Sequence, residues 1–301
     1  MEATDWQPHS VRGFSSGSLT KKMGLKVEST KREDGAFQGT LIRGRSGNIM
    51  IISVVNMTDG ALKDAEIQNT IRAVNRQLAG DFALYWGYGS QLRLEGRTGL
   101  KKGRFQMDAA DMRGDGVLYL RDIAKVRDTD GFHNNNFAGI PYGVVYLDLS
   151  RKLGEDWTVT LSHEALELTG DPENNLLVQG PHPAKPDKLV YHWYEMCDAV
   201  QAETYRIDGV AVSNFVLPLY FTSSAEHGGR NDFLGTVSKG GKTLRSFSVN
   251  PGGYIGFFDP SKKRDVTFEL ADDPQAKARL AAKREVHAGR GHRRGLRSAV
   301  D

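Results

Sequence analysis

His163, Glu164 and Glu167 stand in the order H-E-x-x-E within WTVTLSHEALELTGDP, residues 157–172. On a helix, positions four apart share a face, so His163 and Glu167 can grip one metal ion. Glu164, beside His163, is then set to act as a general base toward a water on that ion. The pattern differs by one residue from H-E-x-x-H, the signature of zinc-dependent hydrolases. Glu at the last position makes the site harder and more negative. One imidazole and two carboxylates offset a divalent cation fully, whereas two imidazoles and one carboxylate leave positive charge that acidifies bound water. The motif therefore predicts a Zn2+ site that hydrolyses slowly or has lost catalysis, and its oxygen-rich donors also admit Mn2+ or Ca2+. The same three residues would equally suit the exposed face of an ordinary amphipathic helix.

The elements that must position this helix are legible in outline. Residues 1–36 are polar and rich in Ser, Gly and Lys, and read as a flexible arm. Strand-like runs follow at Phe37–Arg43 and Asn48–Asn56, the second nearly all apolar and so expected in the centre of a sheet. Leu62, Ile67, Ile71, Val74 and Leu78 recur at helical spacing and predict a backing helix that ends at Gly80. Strands are expected at Phe82–Trp86, Gln91–Leu94 and Val117–Leu120. A polar, Asn-rich loop carrying Asp128, Asp130 and His133 then leads to an edge-type strand, Tyr142–Leu149. Beyond the motif helix, Gly180–Pro186 reads as a loop because it holds three Pro, and Leu189–Ala199 fits a helix or a strand. Short strands are expected at Tyr205–Ile207, Val210–Val212 and Phe215–Tyr220, with further β-like pieces up to Leu270. A central strand, a backing helix, several strands, an edge strand and a metal-site helix is the element order of zincin metalloproteases, whose edge strand pairs with extended substrate. The fold expected is α/β (α+β): a zincin-like domain with a mixed sheet and a β-rich C-terminal part over residues 37–270, followed by a basic tail, 271–301.

Five blocks carry a more specific resemblance: Glu66–Gly87, Asp130–Asp148, Thr158–Pro172, Tyr194–Val200 and Val212–Phe221. They resemble a family of phage- and bacteria-encoded proteins described as hypothetical or as zinc-metallopeptidase-like with an HExxE motif, over about residues 48–255. The resemblance implies that Glu195 and Asp198 belong with His163 and Glu167 in one site, with His133 nearby. It brings no substrate with it.

The residues offer several third ligands, of which Glu195 is the one expected to hold the ion with His163 and Glu167. Glu195 lies 31 residues after Glu164, a separation seen when a second helix supplies a glutamate ligand. Glu173 follows His163 by ten residues, the spacing of a compact third ligand, and Asp171 is another oxygen donor that also suits a turn before Pro172. Asp198 is expected to bond the other nitrogen of His163 and fix its tautomer. His133 is a candidate for positioning substrate or an oxyanion, and Tyr194 for donating to the latter.

Bulk properties limit the alternatives. The 301 residues are 39% hydrophobic and 26% charged, with a net charge of +3, ordinary for a soluble globular chain. Gln275–Asp301 carries eight Lys or Arg against two acids, which leaves −3 for the rest. That tail is the only feature suited to nucleic acid, through Arg290, Arg293, Arg294 and Arg297, and no aromatic interleaving accompanies it. A single cysteine, Cys197, excludes an internal disulfide and a cysteine-based zinc finger. No phosphate loop or G-x-S-x-G elbow is present, and no apolar run of membrane-spanning length. The expectation is a cytoplasmic or virion-associated protein without a membrane partner. It would be a metal-dependent peptidase or amide hydrolase, or else an inactive metal-binding structural or interaction protein, for example of a phage virion.

Overall fold

The computed structural model describes residues 49–95, 114–122, 131–135, 140–224, 228–237 and 241–270. The arm at 1–36, the run Phe37–Arg43, Asp128, Asp130 and the basic tail lie outside them. Helices and sheets are mixed, as in an α+β protein. Strands β1 (Met50–Asn56), β2 (Ser90–Glu95), β3 (Gly116–Arg121), β4 (Gly131–Asn135) and β5 (Pro141–Tyr146) form one sheet in the order β2-β1-β3-β5-β4. β1, β2, β3 and β5 run parallel, and β4 is antiparallel to β5. β1 is paired on both edges, Met50 with Ser90 and Ile52 with Gly116, and its buried side chains divide between two apolar clusters, Ile52 and Val54 in one and Val55 in the other.

The backing helix runs further than its periodicity up to Leu78 suggests. α1 (Asp64–Arg76) passes through a π-helical turn, Gln77–Phe82, into the short α2 (Ala83–Trp86). Gly80 does not stop it, and Phe82–Trp86 is helix rather than strand. Leu78, Phe82 and Trp86, four residues apart, prolong the buried stripe of Ile67, Ile71 and Val74, and this burial outweighs the β preference of the aromatic residues. The stop comes at Gly87, whose φ of 74° is the left-handed conformation that ends helices.

Two expectations around the motif helix change places. The strand predicted at the edge, Tyr142–Leu149, is β5, lies inside the sheet between β3 and β4, and gives way at Leu147 to the helix α3 (Leu147–Leu153). The edge position belongs to β4, in the segment that reads as an Asn-rich loop. Polar residues are tolerated in a strand that has no partner on its outer edge among the described residues, and they blunt its pairing with other chains. The motif helix α4 (Trp157–Gly170) packs against β4 and β5 and also against a hairpin made by β8 (Thr204–Ile207) and β9 (Val210–Ser213). Asp208 and Gly209 take φ of 50° and 81° at the hairpin turn, the geometry that matches strand twist.

A second, four-stranded antiparallel sheet combines β6 (Leu177–His182), β7 (Lys185–Trp193), β10 (Tyr254–Asp259) and β11 (Arg264–Glu269) in the order β11-β10-β7-β6. The proline-rich stretch expected as a loop is therefore mostly hairpin. Pro181 sits on the edge strand β6, where a missing N–H costs nothing, and Pro183 falls in the turn. Phe215–Tyr220 is not a strand: Val216 makes one isolated bridge with Asp232, and Pro218 opens a 3-10 turn ending at Phe221. No described helix is long and apolar enough to cross a membrane.

His192 on β7 tests the packing between this sheet and the segment before it. Its ring centroid lies 4.7 Å from that of Phe247 and 5.6 Å from that of Phe257, and its Nε2 is 2.9 Å from the Pro181 carbonyl. Burial lowers its pKa to about 4, although the Pro181 carbonyl works the other way. The unfolded chain takes up this proton near pH 6.5, the folded one only near 4, so stability is full above 6.5 and falls as the pH drops toward 4. We predict a loss of about 3 kcal/mol from this group between pH 7 and 4, read from urea unfolding, and a flatter profile for His192→Gln.

Candidate metal centre

All residues of α4 from Thr160 to Thr169 are buried, so the acidic residues of the motif do not form a solvated face. His163, Glu164 and Glu167 retain 7%, 4% and 3% of their exposure. The register of α4 is fixed from the side by Ser162, which donates to Gln77 Oε1 at 2.7 Å and accepts from the Ser213 N–H at 3.0 Å. Gln77 belongs to the π turn of the backing helix and also donates to the Ser213 carbonyl at 2.8 Å. One buried amide thus ties the backing helix, the motif helix and β9 together. The π turn is what brings this side chain to α4, in keeping with the frequent presence of such turns at functional sites.

Two other segments complete the cluster. β4 contributes His133, 1% exposed, and the segment after β7 contributes Glu195 and Asp198, 8% and 4% exposed. Glu195 therefore arrives on the connection between β7 and a 3-10 turn at Asp198–Val200, not on a second helix. That connection comes close to α4 because Gly170 leaves room for the buried Met196 side chain, which any Cβ there would strike. The Cys197 N–H then donates to Glu167 Oε1 at 3.1 Å and holds that carboxylate in orientation.

The remaining distances share a narrow range. His163 Nε2 lies 3.3 Å from Glu167 Oε2 and 3.3 Å from Asp198 Oδ1. His133 Nδ1 lies 3.4 Å from Glu164 Oε2 and 3.5 Å from the same Glu167 Oε2. On its other side, His133 Nε2 is 3.7 Å from Glu195 Oε2. These separations are long for charge-assisted hydrogen bonds, which close to about 2.7–2.9 Å. The separations of 3.3–3.5 Å within each group match the edge of a tetrahedron around a cation, because donors at about 2.1 Å from an ion stand about 3.4 Å apart. His163, Glu167 and Asp198 form one triad able to hold a metal ion, and His133, Glu164 and Glu167 form another. Among the described residues, Glu164 Oε2, Asp198 Oδ1 and His133 Nε2 have no hydrogen-bond partner although all are buried.

Charge explains the titration of the group. Burial disfavours a charged His163, but Glu167 and Asp198 outweigh it and hold its pKa well above the usual imidazole value. Burial likewise opposes a charged His133, and Glu195, Glu164 and Glu167 overcome it and raise the pKa. Glu167 is pushed up to about 7 by burial, with Asp198 and Glu195 adding to it and His163 opposing. Burial also raises the Cys197 thiol, with the Glu167 and Asp198 charges adding to the effect, so it stays protonated.

The structure brings together His133, His163, Glu164, Glu167, Glu195 and Asp198 and leaves out the other sequence candidates. Glu173 is exposed, and its Oε2 accepts from Asn175 at 2.9 Å. Asp171 is buried, but its carboxylate receives the N–H groups of Asn175 and Leu176 at 3.1 and 3.0 Å and so shapes the turn after α4. Tyr194 packs against Phe221 and Trp86 at 4.5 and 5.7 Å between ring centroids. Asp198 approaches Nε2 of His163, the nitrogen that also faces Glu167, instead of the opposite one. Gln77, Ser162 and the Cys197 amide were not legible in the sequence, since their roles arise only from contacts between distant segments.

A family model described as a protein of unknown function (DUF3489) matches residues 1–38, outside the described part of the chain. No curated protein and no solved structure matches the chain.

Two outcomes follow, the first for protein kept metal-free with a chelator. Glu167 and His163 both bind protons more tightly folded than unfolded, so stability is greatest below the unfolded values and falls as the pH rises through the folded ones. Above pH 6.5, where His192 no longer contributes, the melting temperature of the metal-free protein should decline toward pH 8, and Glu167→Gln should weaken that slope. Separately, Ser162→Ala leaves Gln77 Oε1 and the Ser213 N–H unpartnered. It should cost about 1–3 kcal/mol for each group in denaturant unfolding.

Proposed function

We propose that this chain is a metal-dependent hydrolase acting on peptide or amide bonds, with a zincin-like arrangement around a Zn2+ held by His163, Glu167 and Asp198. The observation that carries the reading is the convergence of Glu164, Glu167 and Asp198, all buried, with no Lys or Arg paired to any of them among the described residues. Buried carboxylates are costly unless offset, and here only protons on His133, His163 and Glu167 do so without a cation. A divalent ion at the triad turns that cost into affinity. The oxygen-rich donors also suit Mn2+ or Ca2+.

The chain's own groups have distinct parts in this reading. Glu167 is held by the Cys197 N–H through one oxygen and presents the other to the ion. Glu164, the neighbour of His163 on α4, is not in that triad and serves as the proton acceptor for an attacking water. Glu195 faces the far nitrogen of His133 at 3.7 Å and orients that ring, as carboxylates behind histidines commonly do. Bound, the cation supplies Lewis-acid polarisation of a carbonyl and a more acidic water. The antiparallel edge strand β4 supports a peptide substrate, because an extended chain added to it would run past His133.

A second reading has its own support. Every residue of the cluster is less than 9% exposed, and closed sites are characteristic of metals that stabilise structure. The test is metal content by mass spectrometry for wild type, His163→Ala and Glu167→Ala, followed by peptide hydrolysis with wild type and Glu164→Gln. Near-stoichiometric metal lost in the first two variants, with activity down about 100-fold or more in a metal-loaded Glu164→Gln, is the expected result. Metal-loaded wild type that cleaves nothing, yet unfolds on chelation, would support the structural role. Wild type that takes up no metal would overturn both readings.

A further inference from the structure

We propose that the centre has a second cation seat, formed by His133, Glu164 and Glu167, and that Glu167 bridges the two. This rests on the reading of His163, Glu167 and Asp198 as the first seat and extends it. The two triads share Glu167 but not their imidazoles. An ion at the first seat therefore leaves His133 Nδ1 and Glu164 Oε2 facing each other at 3.4 Å, buried, with that carboxylate oxygen lacking a hydrogen-bond partner among the described residues. Glu164 and Glu195 face the two nitrogens of His133 at 3.4 and 3.7 Å, and neither carboxylate belongs to the first seat.

Geometry sets the spacing of the pair. Both imidazoles approach the same atom, Glu167 Oε2, at 3.5 Å from His133 and 3.3 Å from His163. Two ions bonded to one oxygen at about 2.1 Å each are at most about 4 Å apart, within the range of two-metal centres. The other oxygen, Oε1, is occupied by the Cys197 N–H at 3.1 Å, so the bridge forms through Oε2 alone. Occupation of the second seat makes Glu164 a ligand and removes it as a proton acceptor. The supply of divalent metal thereby becomes a control on the hydrolase.

The experiment titrates the full-length, chelator-stripped protein with Mn2+, following stoichiometry by calorimetry and the ions by electron paramagnetic resonance. Wild type should take up two Mn2+, the second more weakly, and the signal should become exchange-coupled as the second enters. His133→Ala should take up one, with the uncoupled six-line signal, and circular dichroism establishes that the variant is folded. If it is not, the wild-type coupling decides alone. One Mn2+ in wild type, or two without coupling, would overturn the bridged second seat and leave the single-metal reading standing. Two Mn2+ in a folded His133→Ala would overturn the assignment to His133. No uptake at all would overturn the first seat together with the second.

Discussion

Carboxylates cannot be buried among themselves, and the arrangement of this molecule follows from how Glu164, Glu167 and Asp198 are accommodated. Each is less than 5% exposed, and among the described residues the two imidazoles, with no Lys or Arg, are what face them. The elements around them do not dilute this charge. They concentrate it, since α4 is buried along ten consecutive residues and the segment after β7 is drawn against its end. Neutral partners such as the Cys197 N–H fix orientation without neutralising anything. Such a cluster is stable with protons or with a cation, and the separations near 3.4 Å are those that ligands of one ion adopt.

The scaffold supplies rigidity through a few long-range ties. Gln77 in the π turn, Ser162 on α4 and the backbone of Ser213 on β9 join three elements far apart in sequence. The parallel strands β1, β3 and β5 form the floor of the sheet, and β4 is added in the opposite sense at its edge. This reversal brings His133 to the cluster. Without it, the edge of the sheet would be β5, which carries no His, Asp or Glu.

What the sequence revealed depended on how local each signal was. H-E-x-x-E is complete within five residues, and its helix was legible because spacing alone puts His163 and Glu167 on one face. β1 was legible as an unbroken apolar run, and the stripe from Ile67 to Leu78 as a helix. Phe82–Trp86 was not, because aromatic residues favour strands locally and only the long-range burial of Phe82 and Trp86 makes them helical. β4 was hidden by its polarity, since an Asn-rich edge strand looks like a loop. Glu195 and Asp198 could be named as members of the site, but their roles could not: which of the two faces His163 depends on the path of the chain after Trp193. The burial of the whole group was equally illegible, because the same acids on an exposed helix would give an identical pattern.

Metal chemistry at this site requires a cation between His163, Glu167 and Asp198. A crystal of protein purified without chelator, measured on both sides of the zinc absorption edge, tests it most directly. An anomalous peak is expected about 2.0–2.2 Å from His163 Nε2, Glu167 Oε2 and Asp198 Oδ1. No peak at any metal edge, with these three side chains closed into direct hydrogen bonds or paired with an Arg or Lys, would contradict it.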